Sequence, residues 1–271
     1  MSMMRSCIRH SRLKKIVHSR VVVGENNMQS MHTERNVVVL GAGGAIGSAL
    51  CAYYSCQQTV ASVTAFLRKP TLGTTYKIKQ YTIDYTDEQL LAQAAAQLAP
   101  LAGIDLIFIT TGILHDDETM PEKSLQDVSA HGLQKLYLAD TVIPALLTKH
   151  FSRYLAKDRP AIIALLSARV GSISDNQLGG WYAYRCAKSA LNMLIKTAAI
   201  ELNRRYKQQM VIGIHPGTVH SPLSAPFQAR LDPKKIFSPG QSAAYIAEVI
   251  TQLQPYHNGS VLAWDGQVIA P

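Results

Sequence analysis

The chain has 271 residues, 47% of them hydrophobic and 17% charged, with a formal net charge of +9. That is ample for one globular domain with a sizeable core, and no stretch approaches the ~18 consecutive apolar residues of a membrane span. The basic excess does not describe a nucleic-acid surface: Arg5, Arg9, Arg12, Lys14, Lys15 and Arg20 stand among residues 1–24 with no acid, so the charge is largely a tail.

Residues 1–35 are expected to be a basic extension without defined structure, ahead of a single domain over 36–271. It has no long apolar core, so a secretory signal is not expected. A start codon upstream of true initiation at Met28 or Met31 and a disordered basic arm are favoured over an organellar presequence. Asn36–Leu40 (NVVVL) then predicts a strand, followed by Gly41-Ala42-Gly43-Gly44-Ala45-Ile46-Gly47 and a helical run over Ser48–Tyr54. A strand, a glycine turn and a helix start in that order form a phosphate cradle. The backbone N–H groups of Gly41, Gly43, Gly44, Ile46 and Gly47 come close to a pyrophosphate, and the helix N-terminus adds positive potential.

The next strand is expected at 61–66. At its end an NAD site usually carries an acid for the ribose hydroxyl, whereas this chain has Leu67-Arg68-Lys69. Two cations without a carboxylate favour the 2′-phosphate of NADP(H), with NAD(H) as the alternative. Further strands are predicted at 76–82, 105–110, 160–166, 210–214 and 260–264, with helices at 87–98, 122–156, 181–206 and 241–252. Such alternation predicts an α/β fold, a Rossmann-type doubly wound parallel sheet with helices on both faces, whose ligands bind beyond the carboxyl ends of the strands.

In the helix expected at 122–156, Leu133, Leu136, Tyr137, Asp140, Ile143 and Leu147 recur at helical spacing, which turns Asp140 inward and calls for a partner. Pro144 lacks the N–H that would bond the Asp140 carbonyl, leaving that oxygen free for a water. In the helix at 181–206, Tyr184 and Lys188 stand four apart on one face, where an ammonium favours the phenolate. A free tyrosine titrates near ~10, so a neighbouring lysine together with a second positive charge is a physical route to proton exchange with an alcohol or carbonyl oxygen at neutral pH. Cys7, Cys51, Cys56 and Cys186 make no CxxC pair and read as reduced thiols of a cytoplasmic protein. The histidines have no metal-binding spacing, and no metal is expected.

With the glycine turn and the Tyr184/Lys188 pair at this separation, the sequence resembles the short-chain dehydrogenase/reductase family from about Asn36 onward. Ala168–Tyr184 and Trp264-Asp265-Gly266 look most like its C-factor and sniffer-type carbonyl reductase branch. The resemblance implies hydride transfer between a nicotinamide and a carbonyl or alcohol, with Tyr184 as acid/base and Lys188 holding the ribose. It also implies cofactor contacts at Asp84, Thr110, Gly112, Pro216, Gly217, Thr218 and Val219. The serine of the family's Ser-Ser-x-x-Gly falls on Ala168, which leaves Ser167 as candidate and Ser172 as runner-up. Ser167 suits only if the loop turns its hydroxyl into the cleft. The family's relay asparagine falls on Asp140. A homodimer or homotetramer through the two long helices is implied, with alanines at 183, 187, 190 and 198–199 permitting close contact. Leu223, Phe227, Ile113 and Leu114 suit a small hydrophobic aldehyde, ketone or alcohol. The competing reading is a cofactor-binding regulatory or cell-signalling protein of little or no catalysis.

Overall fold

The computed structural model describes residues 34–70, 72–73 and 75–271, so all but the last two residues of the expected basic extension lie outside it. The first strand, β1 (Arg35–Leu40), has apolar residues on both faces: Val38 and Leu40 enter one core and Val37 and Val39 the other. The chain continues through α1 (Ala45–Ser55), β2 (Val60–Leu67), β3 (Ile78–Thr82), α2 (Glu88–Ala96) and β4 (Leu106–Ile109). Next come α3 (Ala130–Tyr137), a π segment (Leu138–Val142), α4 (Ile143–Phe151), β5 (Ala161–Leu166) and α5 (Tyr182–Arg205). It ends with β6 (Gln209–His215), β7 (Thr218–Val219), β8 (Ile236–Phe237), α6 (Pro239–Thr251), β9 (Val261–Ala263) and β10 (Val268–Ile269).

The sheet runs β10-β9-β6-β5-β4-β1-β2-β3. Chain order reverses between β1 and β4, which opens a crevice at their carboxyl ends. Leu91, Leu147, Phe151, Leu191 and Ile195 cover one face from α2, α4 and α5, while Leu50, Tyr54, Ile246 and Ile250 cover the other from α1 and α6.

Three expectations need correction. The helix expected over 122–156 is a shorter, composite rod. Its start is fixed at Ala130 by Ser129, whose side chain accepts from the Gly132 N–H at 3.1 Å, and a separate 3-10 turn covers Leu125–Asp127. In place of a plain α-helix around Asp140 the rod widens into the π segment, with Ile143 N–H bonding Leu138 O, one residue ahead of the missing Pro144 donor. The sheet is also not wholly parallel, because the short edge strand β10 pairs antiparallel with β9. Finally, Ala183 and Ala187 serve the chain's own packing: they are buried with Leu136 of α3, and Thr141 Oγ1 donates to Ala187 O at 2.8 Å. Among the described residues no helix is long and apolar enough to cross a membrane.

Candidate active site

The rim of the sheet assembles the site. Behind β1, Gly41 takes φ +87°, a conformation open to glycine, and a Cβ there would come 2.7 Å from Thr110 Oγ1. A Cβ on Gly47 would strike the Gly41 carbonyl oxygen and Thr110 Oγ1. Thr110 is itself fixed by a bond from Oγ1 to Leu40 O at 2.9 Å. Gly43 and Gly44 are exposed, and no side chain caps α1. The helix therefore offers bare N–H groups and the positive end of its dipole at the mouth of the crevice, which fits a pyrophosphate.

Sequence reading missed what holds this turn. Tyr85, buried after β3, donates from its hydroxyl to Phe66 O at 2.8 Å and accepts the Gly41 N–H at 2.7 Å. Burial pushes that phenol above its ordinary value, so it remains a donor. Asp84, the expected adenine contact, is exposed and bonds Thr86 N and Oγ1 at 2.9 and 2.7 Å, which hold its carboxyl below the ordinary value. Arg68 and Lys69 are exposed just past β2, free to meet a phosphate.

Beyond β4, Gly112 has φ +154°, and a Cβ on it would lie 2.6 Å from Asp140 Oδ1 and 3.4 Å from Lys188 Nζ. A continuous set of close contacts thus runs from Gly41 through Thr110 to Gly112 and on to Lys188, joining the glycine cradle to α5. Lys188 is buried; its Nζ lies 2.9 Å from Asp140 Oδ1 and donates to Leu166 O at 3.2 Å. The same ammonium sits 5.6 Å from the centre of the Tyr184 ring. Two of its three N–H groups are engaged by protein, leaving one for a ligand.

Lys188 lowers the Tyr184 phenol as its spacing implies, but a larger effect opposes it. Burial raises Tyr184 above its ordinary value; Lys188 opposes this, and Asp140 adds to it. Burial weakens the Lys188 ammonium, but Asp140 and the phenol outweigh it, so Lys188 stays charged. Burial likewise lifts the Asp140 carboxyl, with Lys188 pulling back. Beyond that ion pair Asp140 meets the Ile113 backbone N–H, and Thr111 Oγ1 and His215 Nδ1 are buried without partners at the same rim. Burial brings the His215 imidazole down to about 4, keeping it neutral. Orphaned polar atoms gathered at one crevice are what a polar ligand would satisfy.

Neither serine faces that ligand with a free hydrogen. Ser167 follows the end of β5 and donates its hydroxyl to Asn192 Oδ1 of α5 at 2.6 Å. Ser172 donates to Pro271 O at 3.3 Å and accepts the Asp175 N–H. Ala168 has no hydroxyl at all.

The Pro216-Gly217 loop is braced from below. Gly217, at φ +75°, lies so close to Phe237 and Trp264 that a Cβ would come within 2.6 Å of the Phe237 ring. Phe237, Tyr245 and Trp264 pack ring on ring, Ser242 Oγ bonds Pro216 O at 3.0 Å, and Thr218 and Val219 form β7 against β8. Over the crevice, the 3-10 turn Ala225–Arg230 brings Phe227 to 5.0 Å from Trp181 and 5.6 Å from His115, ring centre to ring centre. His115 Nε2 also meets Leu223 O at 3.1 Å.

The second missed residue is Glu122. Trp181 precedes α5 at φ +52°, a left-handed backbone that disfavours a bulky side chain by about 1–2 kcal/mol. Its N–H is held by Glu122 O at 2.6 Å, and the buried Glu122 carboxylate accepts the Ala183 N–H at 3.2–3.3 Å, acting as a cap from outside the helix. Glu122→Ala is expected to lower stability by about 1–2 kcal/mol in thermal unfolding. Glu122→Gln, which keeps an acceptor, should recover most of that loss.

The short chain dehydrogenase family matches this sequence over residues 35–232. The chain is 26% identical over 256 residues to an uncharacterized oxidoreductase of Schizosaccharomyces pombe, spanning 88% of this chain and 98% of that relative. It is 27% identical over 143 residues to the C-signal protein of Myxococcus xanthus, spanning 53% of this chain and 81% of that one. In fold it resembles the NADPH-bound carbonyl reductase from chicken fatty liver (TM-score 0.76, 23% identity, 88% of this chain and 99% of that one). It also resembles the carbonyl reductase Sniffer of D. melanogaster (TM-score 0.75, 21% identity, 89% of this chain and all of that one).

Proposed function

Because this chain belongs to the short chain dehydrogenase family, and is thereby an NAD(P)-dependent oxidoreductase, we propose that it is an NADP(H)-dependent carbonyl reductase acting on small hydrophobic aldehydes or ketones. One observation carries the reading: the contacts that run from the uncapped glycine turn through Thr110 and Gly112 to Lys188, and so to Tyr184, within one crevice. The bound dinucleotide would supply the hydride. Gly43, Ile46 and Gly47 would offer N–H groups to its pyrophosphate, with Gly41 and Gly44, whose N–H groups bond within the protein, shaping the turn, and with Asp84, Thr110, Gly112 and the 216–219 loop as further contacts.

Tyr184 gives its phenolic proton to the carbonyl oxygen, and the remaining Lys188 N–H orients the ribose. Trp181, Phe227, Leu223 and Ile113 keep the pocket apolar and exclude water. With Ala168 in place of a hydroxyl and Ser167 bonded to Asn192, polarisation of that oxygen falls on Tyr184 alone. A missing donor of this kind costs on the order of 10²-fold in rate. That gap favours the second reading, a cofactor-binding regulator of little turnover.

Purified protein incubated with NADPH and a panel of aldehydes and ketones decides between the two: turnover supports the reductase, and tight NADPH binding without turnover supports the regulator. The preference for NADP(H) rests on Arg68 and Lys69. Arg68→Glu is expected to weaken NADPH binding by about 10–100-fold while NADH is little affected, as read by nucleotide fluorescence titration. Met193 and Ile200, exposed seven residues apart on α5, support a homodimer or homotetramer through that helix.

A further inference from the structure

Asp140 occupies an unusual position for an acid. It is fully buried, it sits in the π segment between two α-helical turns, and its single charge partner is the Lys188 ammonium at 2.9 Å. The close backbone of Gly112 covers the pair, leaving no room even for a methyl group between β4's loop and the carboxylate. A neutral amide here would leave Lys188 with its full field on the Tyr184 ring 5.6 Å away; a carboxylate does not.

We infer that Asp140 is a positioning residue that offsets the charge of Lys188 and keeps the Tyr184 phenol protonated, so that the site is set to give a proton to a carbonyl rather than to take one from an alcohol. This rests on the proposed function for its catalytic meaning, though not for its electrostatics. The groups facing Tyr184 bear it out. Lys188 acts from its own helix and Asp140 from the π segment, and these are the charges that act on the phenol among the described residues. The β4 loop contributes the Gly112 backbone, β5 the Leu166 carbonyl on Lys188, and the residue ahead of α5 the Trp181 ring, 6.3 Å from that of Tyr184. Arg185, next in sequence, is turned to the carbonyls of Val170, Gly179 and Gly180, and Glu122 is bonded to Ala183 N–H at the helix start.

The direction follows from elementary electrostatics. Removing a negative charge beside a phenol favours phenolate and lowers the pH at which it forms. Asp140→Asn keeps the shape and removes the charge. In full-length protein carrying ¹³C-labelled tyrosine, with the Tyr184 signal identified by its loss in Tyr184→Phe, the Tyr184 titration midpoint is expected to fall by at least about one pH unit in Asp140→Asn, a tenfold change in phenolate formation. The rising limb of alcohol oxidation against pH should move down by the same amount, and Asp140→Ser, a second neutral replacement, should move both the same way. An unmoved Tyr184 midpoint in both variants overturns the inference. A lowered midpoint in a protein that turns over no carbonyl or alcohol upholds the charge pairing and overturns the reductase reading instead.

Discussion

Tyr184→Phe is expected to lower carbonyl reduction by about 10³-fold while NADPH binding changes less than about twofold. The substitution removes one oxygen from a partly buried ring and leaves the packing of α5 on α3 through Ala183 and Ala187 in place. General acid catalysis of this kind contributes about 10²–10⁴-fold, and two features move the expectation above the lower end. Ser167 gives its hydrogen to Asn192 and position 168 is alanine, so loss of the phenol leaves the carbonyl oxygen with no hydroxyl donor from these positions. The glycine turn proposed to hold the pyrophosphate, by contrast, packs through Gly41, Gly47 and Thr110, which the change does not touch. Steady-state kinetics beside NADPH fluorescence titration separates the two effects. Turnover within tenfold of the unaltered protein would remove Tyr184 from the role of acid.

The sheet was readable because its strands carry their own signal. Val37–Leu40 and Leu106–Ile109 are unbroken apolar runs flanked by turn residues, and fully buried parallel strands are the structures that need such runs. The strand ends then located the crevice, since Gly41, Thr110 and Ser167 follow, and His215 ends, strands that pair in parallel. The long helix was less legible. Periodicity turned Asp140 inward correctly, but apolar spacing gives no sign of a switch from i→i+4 to i→i+5 bonding; Pro144 hinted at a disturbance without saying which kind. The start of that helix was written in Ser129, a side-chain cap outweighed by the longer apolar pattern around it.

Site residues fell into two groups for a similar reason. Tyr184 and Lys188 lie four apart on one helix, so local geometry brings them together, and the sequence carries it openly. Tyr85 and Glu122 act across gaps of 44 and 61 residues, on Gly41 N–H and Ala183 N–H, and nothing local marks them. Helical spacing shows the cation that lowers the Tyr184 phenol but nothing of what opposes it. The opposing carboxylate arrives from another helix, and the burial that dominates comes from the whole fold.

The Asp140–Lys188 pair makes the second large effect one of stability. Lys188→Met leaves a buried carboxylate without its counter-charge, and breaking a buried ion pair from one side costs about 3–5 kcal/mol. For a domain of this size that is a fall of about 10 °C in Tm, along with loss of turnover. Adding Asp140→Asn removes the stranded charge while keeping its shape, so the double variant should regain more than half of the lost stability and none of the activity, because Lys188's remaining N–H is still missing from the crevice. Thermal unfolding of the two single variants and the double closes the cycle. If the double variant is no more stable than Lys188→Met, the loss came from packing around the lysine stem, and the ion pair is not what anchors α5 to the π segment.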